Sequence, residues 1–203
     1  MNGSTVTFDV WSDYLCPWCK VAATRLAALE REFEGALVLN WKSFLLRPRP
    51  EPGRELEKFR RYTESWRRAA EEEPAARFRV WASEEGPPTH SVPAHLAAKA
   101  AAELGPEAFE RMHAALLRAY FEESRDISRD VTLSALWREA GLPEEGLARS
   151  RDPELVRRVL AEHDEALDLG VGGVPAVRLA GADVAITGAQ PIETYRRWIR
   201  KNL

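Results

Sequence analysis

Thr5-Val6-Thr7-Phe8-Asp9-Val10-Trp11, then Cys16-Pro17-Trp18-Cys19, then Val21-Ala22-Ala23-Thr24-Arg25-Leu26-Ala27-Ala28-Leu29 is the stretch from which the architecture unfolds. The first segment alternates and is rich in β-branched and aromatic residues, so it reads as a strand. The last spaces its apolar residues as a helix does. The chain's only two cysteines lie between them, where strand becomes helix. A thiol at a helix N-cap faces unpaired backbone N–H groups and the positive end of the helix dipole, which favour its thiolate. The thiolate is the form that attacks disulfides, and a C-x-x-C motif at a helix start lowers the pKa of its first cysteine. Pro17 suits the first helical position, where its missing N–H is not needed. Cys19, one turn inside on the same helix face, is within reach of Cys16 for a disulfide after small adjustments.

Working outward, the first helix covers 16–33 and Gly35 breaks it. Residues 36–44 read as a second, mostly buried strand. Strand, helix and strand at this spacing form a βαβ unit, whose strands should be parallel and whose crossover right-handed. Three prolines between Arg47 and Gly53 make a connector. Residues 54–170 then read almost entirely as helix. Leu56, Phe59, Tyr62, Trp66 and Ala69 form one apolar stripe. An Ala-rich helix from Ala94 ends at Gly105, and another restarts at Pro106. Asp130 is a candidate cap for a helix burying Leu133, Leu136 and Trp137. Asp152-Pro153 is a strong start for a helix burying Leu155, Val156, Val159, Leu160 and Leu167. Residues 176–180 and 184–187 then read as a hairpin, and Pro191 opens a last helix. The order β-α-β, helical block, β-β-α predicts an α/β, thioredoxin-like fold: a four-stranded mixed sheet with a large all-helical insertion. The expected division is 1–50 with 171–203 for the thioredoxin-like part and 51–170 for the insertion.

Composition narrows the function classes. Apolar residues at 45% support a core, and a net charge of −3 predicts no nucleic-acid footprint. No apolar run approaches about 18 residues, so no membrane span is expected. The first five residues show neither a basic n-region nor an apolar h-region, which points to a cytoplasmic location. There a C-x-x-C pair is catalytic or metal-binding rather than a structural staple.

Five segments then resemble one family. They are Trp11-Ser12-Asp13-Tyr14-Leu15-Cys16-Pro17-Trp18-Cys19; Ala94-His95-Leu96; Ala119-Tyr120-Phe121 with Asp126-Ile127-Ser128; Gly172-Gly173-Val174-Pro175-Ala176; and Gly188-Ala189-Gln190-Pro191. In this order they resemble the FrnE-like branch of the DsbA superfamily of thiol–disulfide oxidoreductases. The resemblance implies that Cys16 is the nucleophile and Cys19 the buried resolving thiol. It also implies that Val174-Pro175 is a loop opposite the dithiol with Pro175 in the cis form. Pro17, Trp18, Val174 and Pro175 are then the expected substrate-binding residues, the Val174 backbone pairing with an extended substrate. The sequence departs from the family pattern at His90-Ser91, where Asn-Ser or Asn-Thr is common, and at Leu96, where Arg is common. It also lacks the second cysteine pair of some members. The dipeptide Pro17-Trp18 contains no His, so strong thiolate stabilisation of the periplasmic DsbA type is not implied.

Other readings compete at particular residues. Cys16, Cys19, His90 and His95 have ligand-like internal spacing, but about 70 residues separate the pairs, against 12–15 in a compact zinc finger, so no metal is expected. Asp13 reads as a cap for the turn before Cys16. Helix geometry directs Lys20 away from the site and into solvent. Glu71-Glu72-Glu73 reads as a solvated helix end, and the four histidines as structural or surface residues. The expected activity is dithiol–disulfide exchange with a disulfide- or dithiol-containing protein or a small thiol. It needs no cofactor beyond the cysteine pair, with glutathione a possible co-substrate. Two alternatives stand beside it: a glutathione-dependent isomerase or transferase of the 2-hydroxychromene-2-carboxylate isomerase or kappa-class type, and a non-catalytic peptide-binding redox module.

Overall fold

The computed structural model describes residues 5–51 and 55–203. The first four residues, and the Pro52-Gly53 end of the expected connector, lie outside them. Strand β1 (Val6–Ser12) runs into helix α1 (Pro17–Glu32), and strand β2 (Leu37–Ser43) follows. β2 lies parallel to β1, with Val6 opposite Leu37 and Ser12 opposite Ser43. Six helices come next: α2 (Leu56–Thr63), α3 (Trp66–Glu72), α4 (Val92–Glu103), α5 (Pro106–Phe121), α6 (Asp130–Glu139) and α7 (Pro153–Asp168). The chain closes with β3 (Ala176–Leu179), β4 (Ile186–Thr187) and α8 (Ile192–Asn202). Both β1·β3 and β3·β4 are antiparallel, so the mixed sheet has the order β2-β1-β3-β4. This is the expected thioredoxin-like fold, a four-stranded mixed sheet with eight α-helices among the described residues.

β1 is an inner strand, apolar on one face and mixed on the other, where Asp9 binds Arg178 at 2.9 Å beside Trp11. Val6, Phe8 and Val10 pack with Leu26 and Leu29 of α1 and with Tyr195 and Ile199 of α8. On the other face Trp11 packs with Phe44, Ala166 of α7, Val171 and Ala176. The largest apolar cluster belongs to the helices after β2, but Tyr14, Leu15 and Ala23 from around the cysteines are part of it. The dithiol segment is therefore packed between the sheet and the helical block.

Several local expectations need correction. β2 is not mostly buried: it is the sheet edge, and Val38 is 45% exposed. The stripe from Leu56 to Ala69 is two helices rather than one. Its break follows from Ser65, whose N–H and hydroxyl both donate to Tyr62 O, at 3.0 and 2.7 Å, in place of the helical pattern. Phe59, Thr63, Trp66 and Ala69 turn inward while Tyr62 faces out. Asp130 is the first helical residue of α6, not its cap, which is Arg129. Asp152 does cap α7, accepting the Glu154 N–H at 2.8 Å. Leu160 and Leu167, expected in the core, lie on the exposed side of α7. A 3-10 helix over Glu144–Arg151 had no counterpart in the sequence reading.

Candidate active site

Between β1 and α1 the chain turns around the Asp13 carboxylate. Its Oδ1 accepts the Leu15 N–H and its Oδ2 the Leu46 N–H, both at 2.7 Å. One buried side chain thus caps the turn before the cysteines and ties it to the loop after β2. Burial is the main cause that raises the Asp13 pKa to about 6, against the opposing hydrogen bonds from Ser91, Leu15 and Leu46 and the nearby charge of Arg47. The result is a carboxyl that titrates close to neutrality instead of near the usual Asp value.

Cys16 is the N-cap of α1, in extended conformation, with Pro17 at the first helical position. Its carbonyl accepts the Cys19 N–H at 3.1 Å, the first bond of the helix. Both cysteines are free thiols, and both are buried, Cys19 completely. Their proton affinities diverge. The hydrogen bond from the Cys19 thiol is the main cause holding the Cys16 pKa below the ordinary thiol value, and the backbone at the helix start adds to it. Burial and the charge of Asp13 oppose that shift. Burial pushes the Cys19 thiol well up, and its bond to Cys16 pushes it further. The Asp13 N–H also approaches the Cys19 sulfur, at 3.5 Å. Of the two thiols, Cys16 therefore gives up its proton more readily and Cys19 holds its proton longer.

The third element comes from far along the chain. The Cys16 thiol donates to Val174 O at 3.4 Å, across 158 positions of sequence. The Val174–Pro175 peptide bond is cis, and Pro175 O accepts the Gly188 N–H at 2.7 Å, which fastens this loop beside β4. The residues singled out in the sequence therefore meet: Cys16, Cys19 and Val174-Pro175 lie together, with Trp18 37% exposed beside them. An open pocket of about 320 Å3 reaches Cys16, Pro17 and Trp18. Val174 and Pro175 are not part of its lining; its other wall is built from Leu46, Tyr62, Ser65 and Arg68. These four were not expected at the site. In the sequence Tyr62 belongs to an apolar stripe, and no spacing rule links Arg68 to Cys16.

Two charges of α1 are buried, and the first corrects the sequence reading. Lys20 is not solvated: its Nζ donates to Glu122 at 2.6 Å and lies 5.2 Å from the Phe78 ring centre. Arg25 is buried too. It binds the Glu73 carboxylate at 3.0 Å, Glu72 O at 2.6 Å and Gln190 O at 2.9 Å. The Glu71-Glu72-Glu73 run is thus partly a counter-charge that joins α1 to α3 and to the loop before α8. His95 and His113 are held neutral by burial, their pKa values lowered to about 3 and about 4. With Ser43 they line a cavity of about 20 Å3, room for one water molecule. Ser43 Oγ, His95 Nε2 and His113 Nε2 have no hydrogen-bond partner among the described residues, and His95 Nε2 lies 4.0 Å from Asp13 Oδ2. No group of three or more His, Cys, Asp or Glu side chains suited to a metal ion occurs among the described residues. No helix there is long and apolar enough to cross a membrane.

Comparison with known proteins gives the same architecture. The model of one family, the DSBA-like thioredoxin domain, matches residues 7–200. A comparison with curated protein sequences found no match. Among solved structures, a candidate protein disulfide isomerase from Nitrosomonas europaea superposes with a TM-score of 0.82. It is 20% identical, over 98% of this chain and 97% of its own. The cytosolic disulfide reductase DsbM from Pseudomonas aeruginosa has a TM-score of 0.75 and 22% identity, over 96% of this chain and 97% of its own. The same reductase solved with glutathione has a TM-score of 0.74 and 22% identity, over 96% and 98% of the two chains. At these identities the likeness is one of fold.

Proposed function

The chain belongs to the DSBA-like thioredoxin domain family, and from that premise we propose that it is a dithiol–disulfide oxidoreductase whose working groups are Cys16 and Cys19. The observation that carries this reading is the divergence of two adjacent thiols: one at a helix N-cap facing a pocket, the other fully buried and hydrogen-bonded to it. The Cys16 thiolate attacks one sulfur of a substrate disulfide, and the other sulfur leaves as a thiolate. Cys19 then loses its proton and attacks Cys16 Sγ, which releases the reduced substrate and closes the Cys16–Cys19 disulfide. The reverse sequence oxidises a dithiol, and direction follows from the two reduction potentials. Val174-Pro175 is the backbone edge against which an extended substrate lies, and Pro17 and Trp18 border the sulfur it presents.

The five sequence segments support placing the chain in the FrnE-like branch of this family, and its two thiols suit the reducing cytoplasm. The block 51–170 is the inserted helical domain of that architecture. Glutathione, which the Pseudomonas reductase was solved with, is a reasonable co-substrate. The test is turnover of insulin and of glutathione disulfide by wild type, Cys16→Ser and Cys19→Ala. Loss of activity in Cys16→Ser is expected, and equal rates in Cys16→Ser and wild type overturn the proposal. A glutathione-dependent isomerase or transferase needs no resolving thiol, so full activity in Cys19→Ala identifies that reading instead.

A further inference from the structure

The pocket at Cys16 has an uneven distribution of charge. Of the two cysteines only Cys16 lines it. Its walls are apolar at Leu15, Trp18 and Leu46 and carry hydroxyls at Tyr62 and Ser65. One charged side chain lines it, Arg68, and no carboxylate does. Three nearby arginines are neutralised within the protein: Arg67 by Glu71, Arg60 by Glu57 and Glu84, and Arg25 by Glu73. Arg61 is exposed but does not line the pocket. The Arg68 guanidinium is exposed and makes no ion pair or side-chain hydrogen bond among the described residues. A net charge of −3 for the whole chain makes an unpaired cation at the one reactive sulfur a local feature, not an overflow of positive surface.

We infer that this pocket selects small disulfides bearing carboxylates, and that Arg68 is the residue that selects them. The inference rests on the oxidoreductase reading above and adds the substrate's chemistry to it. A guanidinium presents a planar fork of N–H donors matched to a carboxylate, and such charge-assisted pairs are stronger than neutral ones. At about 320 Å3 the pocket falls in the range of small-molecule sites and takes a peptide-sized half of such a disulfide. In the reaction the Cys16 thiolate forms an S–S bond to the half held by Arg68, and the other half departs as a thiolate with the electron pair of the broken bond. Cys19, its proton passing to the thiolate of the departing half, then attacks Cys16 Sγ and expels the held half as a second thiolate. The small disulfide is reduced, and the cysteine pair is oxidised to its disulfide. Arg68 touches only the substrate's carboxylate in this scheme and takes no part in proton transfer.

The experiment is single-turnover oxidation of the reduced protein by three probes: glutathione disulfide, which is anionic, bis(2-hydroxyethyl) disulfide, which is neutral, and cystamine, which is cationic. Acid-quenched alkylation and mass spectrometry read the rate of thiol loss. In Arg68→Ala the ratio of the glutathione-disulfide rate constant to the hydroxyethyl-disulfide rate constant should fall about five- to tenfold, the effect of a partly exposed charge-assisted pair. Arg68→Lys should retain most of the ratio, and Arg68→Glu should move preference toward cystamine. Ratios unchanged in both Arg68→Ala and Arg68→Glu overturn the assignment of Arg68 while leaving the dithiol chemistry standing. Failure of the wild type to react with any of the three overturns the oxidoreductase reading, and this inference with it.

Discussion

Replacing Asp13 by Asn should change how stability depends on pH more than it changes stability itself. Asp13 is fully buried and its pKa rises from 3.8 to about 6, chiefly through burial. An acid with a higher pKa in the folded than in the unfolded state binds its proton more tightly when folded. Between the two values the folded protein holds more protons, so stability falls as pH rises through this window. With these pKa values the loss at pH 7 is about 3 kcal/mol relative to an Asp13 that stays protonated. At pH 4, where the unfolded state is about half ionised, most of that loss disappears and about 0.6 kcal/mol remains. Asn cannot titrate, and its amide N–H2 must face one of the two backbone donors, Leu15 N–H or Leu46 N–H, that the carboxylate accepts. That mismatch destabilises the variant by about 1–3 kcal/mol at every pH. The expected result from urea unfolding of the reduced proteins is a wild-type-minus-variant difference that shifts by about 2–3 kcal/mol against wild type between pH 4 and pH 7. Titrating groups distant from Asp13 are common to both proteins and cancel. A difference independent of pH refutes the reasoning, because it means that Asp13 does not take up its proton in this window. Losing the Asp13 charge should also speed alkylation of Cys16 near neutrality, since that charge opposes the thiolate.

Three further outcomes follow from the packing around the dithiol. Cys19→Ala removes the hydrogen bond that chiefly stabilises the Cys16 thiolate, so the Cys16 pKa should rise. Iodoacetamide alkylation at pH 7 should then slow by about tenfold. Lys20→Met keeps the aliphatic volume against Phe78 and Phe121 but leaves the Glu122 carboxylate without its partner, and a loss of about 2 kcal/mol is expected in urea unfolding. In the 3-10 helix, a Cβ at position 146 would lie 2.9 Å from Trp137 Cζ2 and 3.1 Å from Leu104 Cδ1. Gly146→Ala should therefore lower stability by about 1–3 kcal/mol, visible as a lower Tm, whereas Gly86→Ala meets nothing within 4 Å and should leave Tm nearly unchanged.

What was legible in the sequence was whatever depends on near neighbours. Alternation in Val6–Trp11, helical spacing after Val21, and Pro17 behind Cys16 are local patterns, and they located β1, α1 and the dithiol. Val174-Pro175 was found by resemblance rather than by any local rule, and it lies against Cys16. The errors arose where a residue's environment is supplied from a distance. Lys20 looks like a solvent-facing charge because its partner, Glu122, is 102 residues away, and the Glu71-Glu72-Glu73 run looks like a solvated helix end because Arg25 lies 48 residues from Glu73. Val38 looks like a core residue because nothing local says that β2 is the sheet edge. Residues 62–68 form the pocket wall only because Ser65 breaks the helix there and α3 packs on α1. A hydroxyl on an amphipathic stripe does not announce that break.

The most direct measurement is capture of the mixed disulfide. Reduced Cys19→Ala protein is mixed with a disulfide-containing peptide or with glutathione disulfide, quenched in acid and analysed by mass spectrometry after proteolysis. The predicted result is a stable adduct on Cys16, formed faster as pH rises through the titration of its thiol, and released in wild type as the Cys16–Cys19 disulfide closes. An unmodified Cys16 under conditions where a free small thiol reacts readily would contradict the account.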